Sequence, residues 1–225
     1  MNEGAAAGGQ IQGARRRQED SWRIARFADS EVLAVVCDGL GGHPAGDVAS
    51  REGVKEICAH FTEQRRRAET AEPREWLKFS VKQADLALKS LQHRHENLFG
   101  MATTLVALYR RGSEFWAASV GDSYLLLWRQ NQLIVLNQLH SEGGGVTSCL
   151  GFNLTQIDVA DRLLVEPGDR YLLASDGISV LDPQEIGGLL GTAADAPGAV
   201  KALLGAIEEA ALPTQDNATV IAVFA

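Results

Sequence analysis

The sequence lacks several patterns that would assign it to a common functional class. Its longest unbroken apolar stretches, such as residues 32–37, are far too short to span a bilayer. Three cysteines are present without a CxxC pair, and Cys37 and Cys58 have apolar neighbours, which favours buried reduced thiols in a cytoplasmic protein. No GxxxxGK[ST] loop occurs, and a GxGxxG turn fails because Pro44 stands where its third glycine would be.

The charge balance argues against nucleic acid as the main partner. The formal net charge is −8, and basic residues cluster only in two short runs, residues 15–17 and 65–67. A chain of 225 residues with 45% hydrophobic residues can form one large domain with a substantial core. Residues 1–12 are rich in Gly and Ala and lack an apolar core followed by a cleavage site, so we expect a flexible lead-in. A single domain over residues 13–225 and a monomeric protein are the default expectations.

The hydrophobic pattern predicts an α+β fold. Strand-like runs joined by short turns indicate a hairpin, then an antiparallel meander, then a closing strand. Helical periodicity interrupts this pattern in two blocks, and in the second helix apolar residues recur at alternating spacings of four and three. We therefore expect stacked sheets covered by helices on both outer faces. The predicted strands are residues 21–27, 31–37, 102–109, 114–120, 124–128, 132–136, 163–165, 170–174 and 218–224, and the predicted helices are residues 44–61, 72–93, 183–190 and 197–211.

Four of the apolar runs end in, or follow directly on, an aspartate held by a small turn residue. These aspartates are Asp38, Asp122, Asp176 and Asp216. An isolated Asp-Gly turn is structural more often than functional. Four acids that converge at strand ends would instead form an oxygen cage suited to Mg²⁺ or Mn²⁺.

Six short motifs follow one another along the chain, and their order is informative. The series resembles the metal-dependent serine/threonine phosphatases of the protein phosphatase 2C (PPM) family, in its compact bacterial form, from about Gly13 to Phe224. The resemblance implies a four-layer αββα fold, in which helix pairs flank a central antiparallel β-sandwich that carries a two-metal centre. The motifs are Arg15-Arg16-Arg17-Gln18-Glu19-Asp20-Ser21, Asp38-Gly39, Gly100-Met101-Ala102-Thr103-Thr104-Leu105, Val120-Gly121-Asp122-Ser123, Leu172-Leu173-Ala174-Ser175-Asp176-Gly177 and Asp216-Asn217-Ala218-Thr219-Val220.

The resemblance also implies the metal ligands. Asp38 would bridge two Mg²⁺ or Mn²⁺ ions and hold the bridging water that attacks the phosphate, and the carbonyl of Gly39 would bind one ion. Asp176 and Asp216 would bind the other ion. Two divalent ions neutralise a phosphomonoester and make hydroxide available at neutral pH, so no covalent protein intermediate is needed. The absence of a CxxxxxR loop around any cysteine agrees with this chemistry.

The remaining implied roles belong to the first motif. Glu19 and Asp20 would hold metal-bound waters or complete the second site. Arg15, four residues before Glu19, matches the family arginine that clamps the substrate phosphate with its planar fork. Two other polar groups are expected to be structural, namely Thr103-Thr104 as packing residues and Asn217 as the residue that fixes the turn aiming Asp216.

The chain departs from the family pattern at several positions. Asp122 is either a hairpin-turn residue or a ligand of a third metal, and that site looks weakened because Val180 replaces a second aspartate. Leu40 stands where some relatives carry a histidine proposed as general acid, so no general acid is assigned. Most of the flap is missing after Leu136, which predicts an open site with residues 143–145 as a mobile connection.

The resemblance implies a phosphatase that acts on phosphoserine and phosphothreonine in proteins and opposes a Ser/Thr kinase. Two alternatives stay open at this stage. One is a catalytically weak regulatory or binding protein with the same fold, and the other is an open-site hydrolase of small phosphoesters. Asp38, Asp176 and Asp216 are all present, which argues against the catalytically weak regulatory protein.

Overall fold

Two five-stranded antiparallel sheets stack against each other in the computed structural model, which describes residues 5–41, 45–67, 72–210 and 212–225. The order in the first sheet is β1 (Ala6–Ile11), β12 (Ala218–Phe224), β11 (Arg170–Ala174), β6 (Tyr124–Arg129), β7 (Gln132–Val135). The order in the second is β10 (Asp158–Leu164), β5 (Glu114–Val120), β4 (Leu105–Arg111), β3 (Glu31–Asp38), β2 (Asp20–Ala28). A separate two-stranded ladder joins β8 (Ser141–Glu142) and β9 (Gly145–Val146).

The strand β3 shows why its sequence is apolar without alternation. Successive side chains of a strand point to opposite faces of the sheet. Val32, Ala34 and Val36 pack between the two sheets, whereas Leu33, Val35 and Cys37 belong to a second cluster beneath helices. Both faces of β3 are therefore buried, which requires an unbroken apolar run.

Two helix pairs form the outer layers and confirm the predicted αββα architecture. Helices α1 (Gly46–Arg67) and α2 (Pro73–Arg94) cover the second sheet, and α3 (Pro183–Thr192) and α4 (Ala196–Ala210) cover the first. Asp182 caps α3, because its side chain accepts hydrogen bonds from the amides of Gln184 and Glu185.

The expectation of a loose lead-in is wrong for Ala6–Ile11. This segment forms β1 and pairs along its whole length with β12, from Ala6 opposite Val223 to Ile11 opposite Ala218. Helix α1 extends beyond the predicted end at residue 61 and carries three arginines in its last turn, where they complement the helix dipole. The predicted helix start at Pro44 and helix end at Ala211 lie outside the described residues.

Two further observations concern the cysteines and the helices. Cys37, Cys58 and Cys149 are all buried free thiols. Among the helices that the structure describes, none combines the length and apolarity that a membrane span needs.

Candidate active site

The four strand-end aspartates meet around one cavity of about 470 Å³. Asp38 is the last residue of β3, Asp122 and Asp176 lie just beyond β5 and β11, and Asp216 lies just before β12. Antiparallel strands bring their alternate ends to the same edge, so residues far apart in sequence share this wall. The charged lining residues are Arg15, Glu19, Asp38, Asp122, Asp176 and Asp216, and the others are Gly39, Leu40, Gly41, Gly144, Gly145, Val146 and Asn217.

Two threonines hold the backbone of Asp38. Thr104 Oγ1 accepts a hydrogen bond from the Asp38 amide (3.1 Å), and the Thr104 amide (2.8 Å) and Thr103 Oγ1 (2.8 Å) both donate to the Asp38 carbonyl. Thr104 Oγ1 also shares a hydrogen bond with Ser123 Oγ at 2.7 Å. Sequence reasoning treated the threonines as packing residues and missed this function. Their two adjacent hydroxyls in an apolar run were the available signal, since buried hydroxyls need partners.

Gly39 lies where the chain can accept no side chain. A Cβ at this position would stand 2.2 Å from the carbonyl oxygen of Gly46, at the start of α1. The Gly39 amide donates to the carbonyl of Glu19 at 3.0 Å, which ties the loop after β3 to the residue before β2. This close approach positions both Asp38 and Glu19 at the cavity wall.

Asp20 lies opposite Asp38 on the neighbouring strand β2 and is 4% exposed. Ser175 Oγ donates to Asp20 Oδ2 at 2.8 Å and accepts from the Thr219 amide at 2.9 Å. The other carboxyl oxygen, Asp20 Oδ1, is buried with no hydrogen-bond partner among the described residues. A buried carboxylate oxygen left free in this way is suited to a cation.

Asn217 organises the loop that carries Arg15. Its Nδ2 group donates to the carbonyls of Gln12 (2.8 Å) and Arg17 (3.0 Å), and its Oδ1 accepts from the Glu19 amide (2.8 Å). Its own amide donates to Asp216 Oδ1 at 2.8 Å, in agreement with the predicted role in aiming Asp216. The loop thereby places the Arg15 guanidinium against the Asp216 carboxylate, to which Arg15 Nη2 donates.

Burial and the repulsion between neighbouring carboxylates raise the pKa values of Asp38 and Asp176. Burial raises the pKa of Asp38 well above its usual value, and the nearby carboxyls of Asp20 and Asp176 raise it further. Burial, then the charges of Asp122 and Asp216, raise the pKa of Asp176 to about 6. The site therefore carries more negative charge than its own arginine offsets, and a bound cation would restore the ionised form of these acids.

The donor set fits Mg²⁺ or Mn²⁺ in its chemistry. Every acidic lining group supplies carboxylate oxygens, which these hard cations prefer. Over the described ranges, no three His, Cys, Asp or Glu side chains have the spacing of a complete metal site. The carboxylates are therefore spread along the wall of the cavity and do not form one close cluster. One oxygen of Asp216 accepts a hydrogen bond from Arg15.

Asp122 is the carboxylate that the sequence analysis considered as a ligand of a third metal. Asp122 lines the cavity, and burial raises its pKa. Val180 has no carboxylate, and the Asp182 side chain is engaged as the cap of α3, so neither adds a second carboxylate ligand. The weakened third site stays a prediction.

The short flap folds as a hairpin, which corrects the expectation of a mobile connection. Strands β8 and β9 pair across Gly143 and Gly144, whose φ values of +59° and +82° suit the tight turn that glycine favours in hairpins. Gly144, Gly145 and Val146 line the cavity. Sequence reasoning also missed His140, a buried residue whose Nδ1 accepts from the Gly121 amide at 3.2 Å and which anchors the hairpin beside Asp122.

Comparisons with known proteins agree with this geometry. The family model described as protein phosphatase 2C matches residues 10–210. The serine/threonine phosphatase stp of Listeria monocytogenes serotype 4b is 32% identical over 190 residues, which cover 76% of this chain and 75% of that protein. The serine/threonine protein phosphatase PstP of Mycobacterium tuberculosis is 30% identical over 172 residues, 68% of this chain and 32% of that protein.

Solved structures share the fold. Serine/threonine phosphatase Stp1 from Staphylococcus aureus superposes with a TM-score of 0.84 at 23% identity, covering 98% of this chain and 94% of that one. The PPM Ser-Thr phosphatase MsPP from Mycobacterium smegmatis, solved in complex with cacodylate, gives a TM-score of 0.78 at 26% identity and covers 97% of both chains. The predicted resemblance is confirmed, and the chain belongs to the protein phosphatase 2C family.

Proposed function

We propose that this protein is a metal-dependent phosphatase that hydrolyses phosphoserine and phosphothreonine in proteins. One observation carries the proposal, namely that five carboxylates and one arginine line a single cavity of about 470 Å³. Such a cavity can bind a phosphate dianion only if cations offset its negative charge.

The residues in the wall are suited to hold two divalent ions. Asp38, the Gly39 carbonyl, Asp176 and Asp216 would hold these ions. Glu19 in the wall and the buried Asp20 complete the set. When bound, Mg²⁺ or Mn²⁺ would neutralise the phosphate and activate a water for attack on phosphorus.

The protein's own residues position the substrate and the acids. Arg15 stands at the rim, half-exposed, and can turn its guanidinium from Asp216 toward a phosphate oxygen. Thr103 and Thr104 fix the backbone of Asp38, so its carboxylate keeps one direction. The lining of the cavity contains no described histidine, and Leu40 occupies the position of the general acid of some relatives, so we assign no general acid.

Hydrolysis of p-nitrophenyl phosphate and of a phosphothreonine peptide, with and without Mn²⁺, tests the proposal. Chelation, Asp38→Ala and Asp176→Ala should each lower kcat/KM on the order of 100-fold or more, because each removes charge compensation at the phosphate. Glu209→Ala is the matched control, since it removes an exposed carboxylate of α4 that does not line the cavity. Activity that survives chelation and both aspartate substitutions would refute the metal assignment.

The same assays separate the alternatives. A regulatory protein without catalysis would show neither turnover nor Mn²⁺ binding in calorimetry. A small-phosphoester hydrolase would turn over nucleotides and free phosphoamino acids faster than the phosphopeptide. A kinase encoded beside this gene would support a role opposing Ser/Thr phosphorylation, and the three buried free thiols support a cytoplasmic location. We further propose one phosphatase domain from residue 13 onward, extended by β1.

A further inference from the structure

A second cavity, of about 430 Å³, lies beside the candidate active site. The two cavities share Arg15 and Glu19 in their walls. The other described lining residues of the second cavity are Arg16, Arg17 and Ala45. Three consecutive arginines therefore stand at the edge of the site where the proposed function puts the substrate phosphate.

The loop that presents these arginines is fixed by hydrogen bonds to its backbone. Gln12 Nε2 donates to the Arg15 carbonyl at 2.8 Å, and Asn217 Nδ2 donates to the Arg17 carbonyl at 3.0 Å. The Ala14 amide donates to the Gln215 carbonyl at 2.8 Å. Because the backbone is already held, less conformational entropy is lost when the side chains bind a ligand.

Arg16 and Arg17 make no direct contact with an acidic group among the described residues, and only the longer-range charge of Arg17 acts on Glu19. Arg15 pairs with Asp216, whereas the guanidinium groups of Arg16 and Arg17 make no side-chain hydrogen bond or ion pair with any described residue, and both side chains are exposed. A guanidinium carries five donors in a planar fork that matches a carboxylate or a phosphate. Two such guanidinium groups on a loop with a hydrogen-bonded backbone can together bind an anion.

The charge around this site determines where an acidic substrate segment could bind. The protein has a net charge of −8, and every ionisable lining group of the main cavity except Arg15 is a carboxylate. An acidic substrate segment would be repelled along most of that rim and attracted only where residues 15–17 lie. Since extended peptide advances about 3.4 Å per residue, neighbouring cavities correspond to neighbouring substrate residues.

We propose that Arg16 and Arg17 form a subsite for a second anionic group of the substrate, within about two residues of the phosphoresidue. The preferred substrates are thus phosphopeptides in which the scissile phosphate is flanked by a carboxylate or by another phosphate. This inference rests on the proposed phosphatase function and adds a substrate class to it.

A set of phosphothreonine peptides of equal length tests the subsite. Flanking positions on both sides carry Asp, phosphoserine, Asn or Lys, and kcat/KM is measured for the wild type and for the Arg16→Gln/Arg17→Gln double variant. Exposed ion pairs contribute about 2- to 5-fold each, so the wild type should prefer the anionic peptides by about 5- to 20-fold over the Asn peptide. The double variant should lose this preference and keep its rate on the Asn peptide and on p-nitrophenyl phosphate.

The control is Arg66→Gln/Arg67→Gln, which removes the same charge from the last turn of α1. This control variant should keep the wild-type preference for anionic peptides. If the preference came from net charge alone, the control would lower it as much as the Arg16/Arg17 variant does. A gain with Asp identifies a carboxylate as the second group, and a gain with phosphoserine alone identifies a phosphate. Equal rates on all peptides, or a preference that survives in the Arg16/Arg17 variant, would overturn the subsite.

Binding separates this inference from the proposed function. Fluorescence anisotropy of the same labelled peptides at low ionic strength reports the Arg16/Arg17 contribution even if no peptide is hydrolysed. The anionic peptides should bind about 5- to 20-fold more tightly than the Asn peptide, and added salt should reduce the difference. If the wild type hydrolyses no peptide but keeps this binding preference, the phosphatase proposal is refuted and the subsite stands. If the wild type hydrolyses the peptides but shows no binding preference, the subsite alone is refuted.

Discussion

Arg15 and Asp216, which are 201 positions apart in the sequence, are joined by a hydrogen bond and ion pair at the rim of the candidate active site. The hydrogen bond to Asp216 raises the pKa of Arg15, which stays charged throughout the working range. Both side chains are partly exposed, so the pair contributes little to the stability of the fold. Its importance is that one carboxylate contacts the arginine proposed to bind phosphate and also belongs to the proposed cation site.

We predict that Arg15→Ala tightens Mn²⁺ binding while it weakens catalysis. Removing the guanidinium frees an Asp216 oxygen and removes a positive charge, so the Kd for Mn²⁺ in calorimetry should fall about 3- to 10-fold. The KM for a phosphopeptide should rise, because the phosphate loses the paired N–H donors of the Arg15 guanidinium. Arg15→Lys keeps the charge and should bind Mn²⁺ like the wild type. A Kd that is equal in all three proteins would contradict competition between Arg15 and the ion.

The threonine pair provides a second prediction, about positioning. Thr104→Val is nearly isosteric but removes the side-chain acceptor that the described residues provide for the Asp38 amide. An amide left without its partner in a largely enclosed place costs about 1–3 kcal/mol. We expect this loss in urea denaturation, and a lower kcat with unchanged KM, since the carboxylate of Asp38 moves while Arg15 does not.

The control for this substitution is Thr62→Val on α1. Its hydroxyl donates to the Cys58 carbonyl within the same helix and lies outside the cavity wall. It should change stability by a few tenths of a kcal/mol and leave kcat unchanged. If both valine variants have wild-type kcat, Thr104 is a packing residue and nothing more.

The sequence predicted the layers of the fold and the strand-end aspartates because both depend on local patterns. It missed β1, where glycine weakens the strand signal. The structure gives those glycines a packing function: a Cβ at Gly8 would stand 2.7 Å from the ring of Trp22, and one at Gly9 would stand 2.9 Å from Leu204. Contacts of this kind join distant segments, and no periodicity along one segment can reveal them.

The same limit applies to the site. Asp38, Asp176 and Asp216 were found from their turns, but Asn217, Thr104 and Ser175 act through partners up to about two hundred residues away. The sequence predicted that Asn217 fixes the turn before β12, but not that its amide group also holds the loop carrying Arg15. Thr104 was expected to be a packing residue, and Ser175 was not singled out, because their partners belong to other strands. Sequence patterns therefore identified the charged groups and one neutral group, Asn217, and missed the hydroxyl groups that position the acids.

A third prediction concerns the loop after β3. Gly39→Ala would put a methyl group 2.2 Å from the Gly46 carbonyl oxygen, so α1 or the loop must shift. We expect a destabilisation of about 1–3 kcal/mol and a large loss of activity. Gly205→Ala in α4, where a Cβ meets nothing within 4 Å, should instead stabilise by about 0.5–1 kcal/mol. Equal thermal stability of the two variants would contradict the close approach at Gly39.

The last prediction uses a carboxylate far from the cavity. Glu31, at the start of β3, accepts hydrogen bonds from Arg65 Nε at 2.6 Å and from the Tyr109 hydroxyl. The hydrogen bond from Arg65 lowers the pKa of Glu31, and that from Tyr109 adds to this, while burial acts in the opposite direction. A pKa lowered by folding gives stability above the unfolded pKa of about 4.3, and this stability is lost as the pH falls through the folded pKa.

Glu31→Gln should therefore destabilise the protein by about 1–3 kcal/mol at pH 7, where the wild-type carboxylate is ionised. The difference between the two proteins in urea denaturation should shrink steadily below pH 4, as Glu31 of the wild type becomes protonated and resembles the amide. Glu209→Gln, an exposed acid on α4, controls for the general loss of a negative charge and should show no such pH dependence. If the Glu31→Gln difference is the same at pH 7 and at pH 3, the contribution of Glu31 comes from its packing and not from its charge.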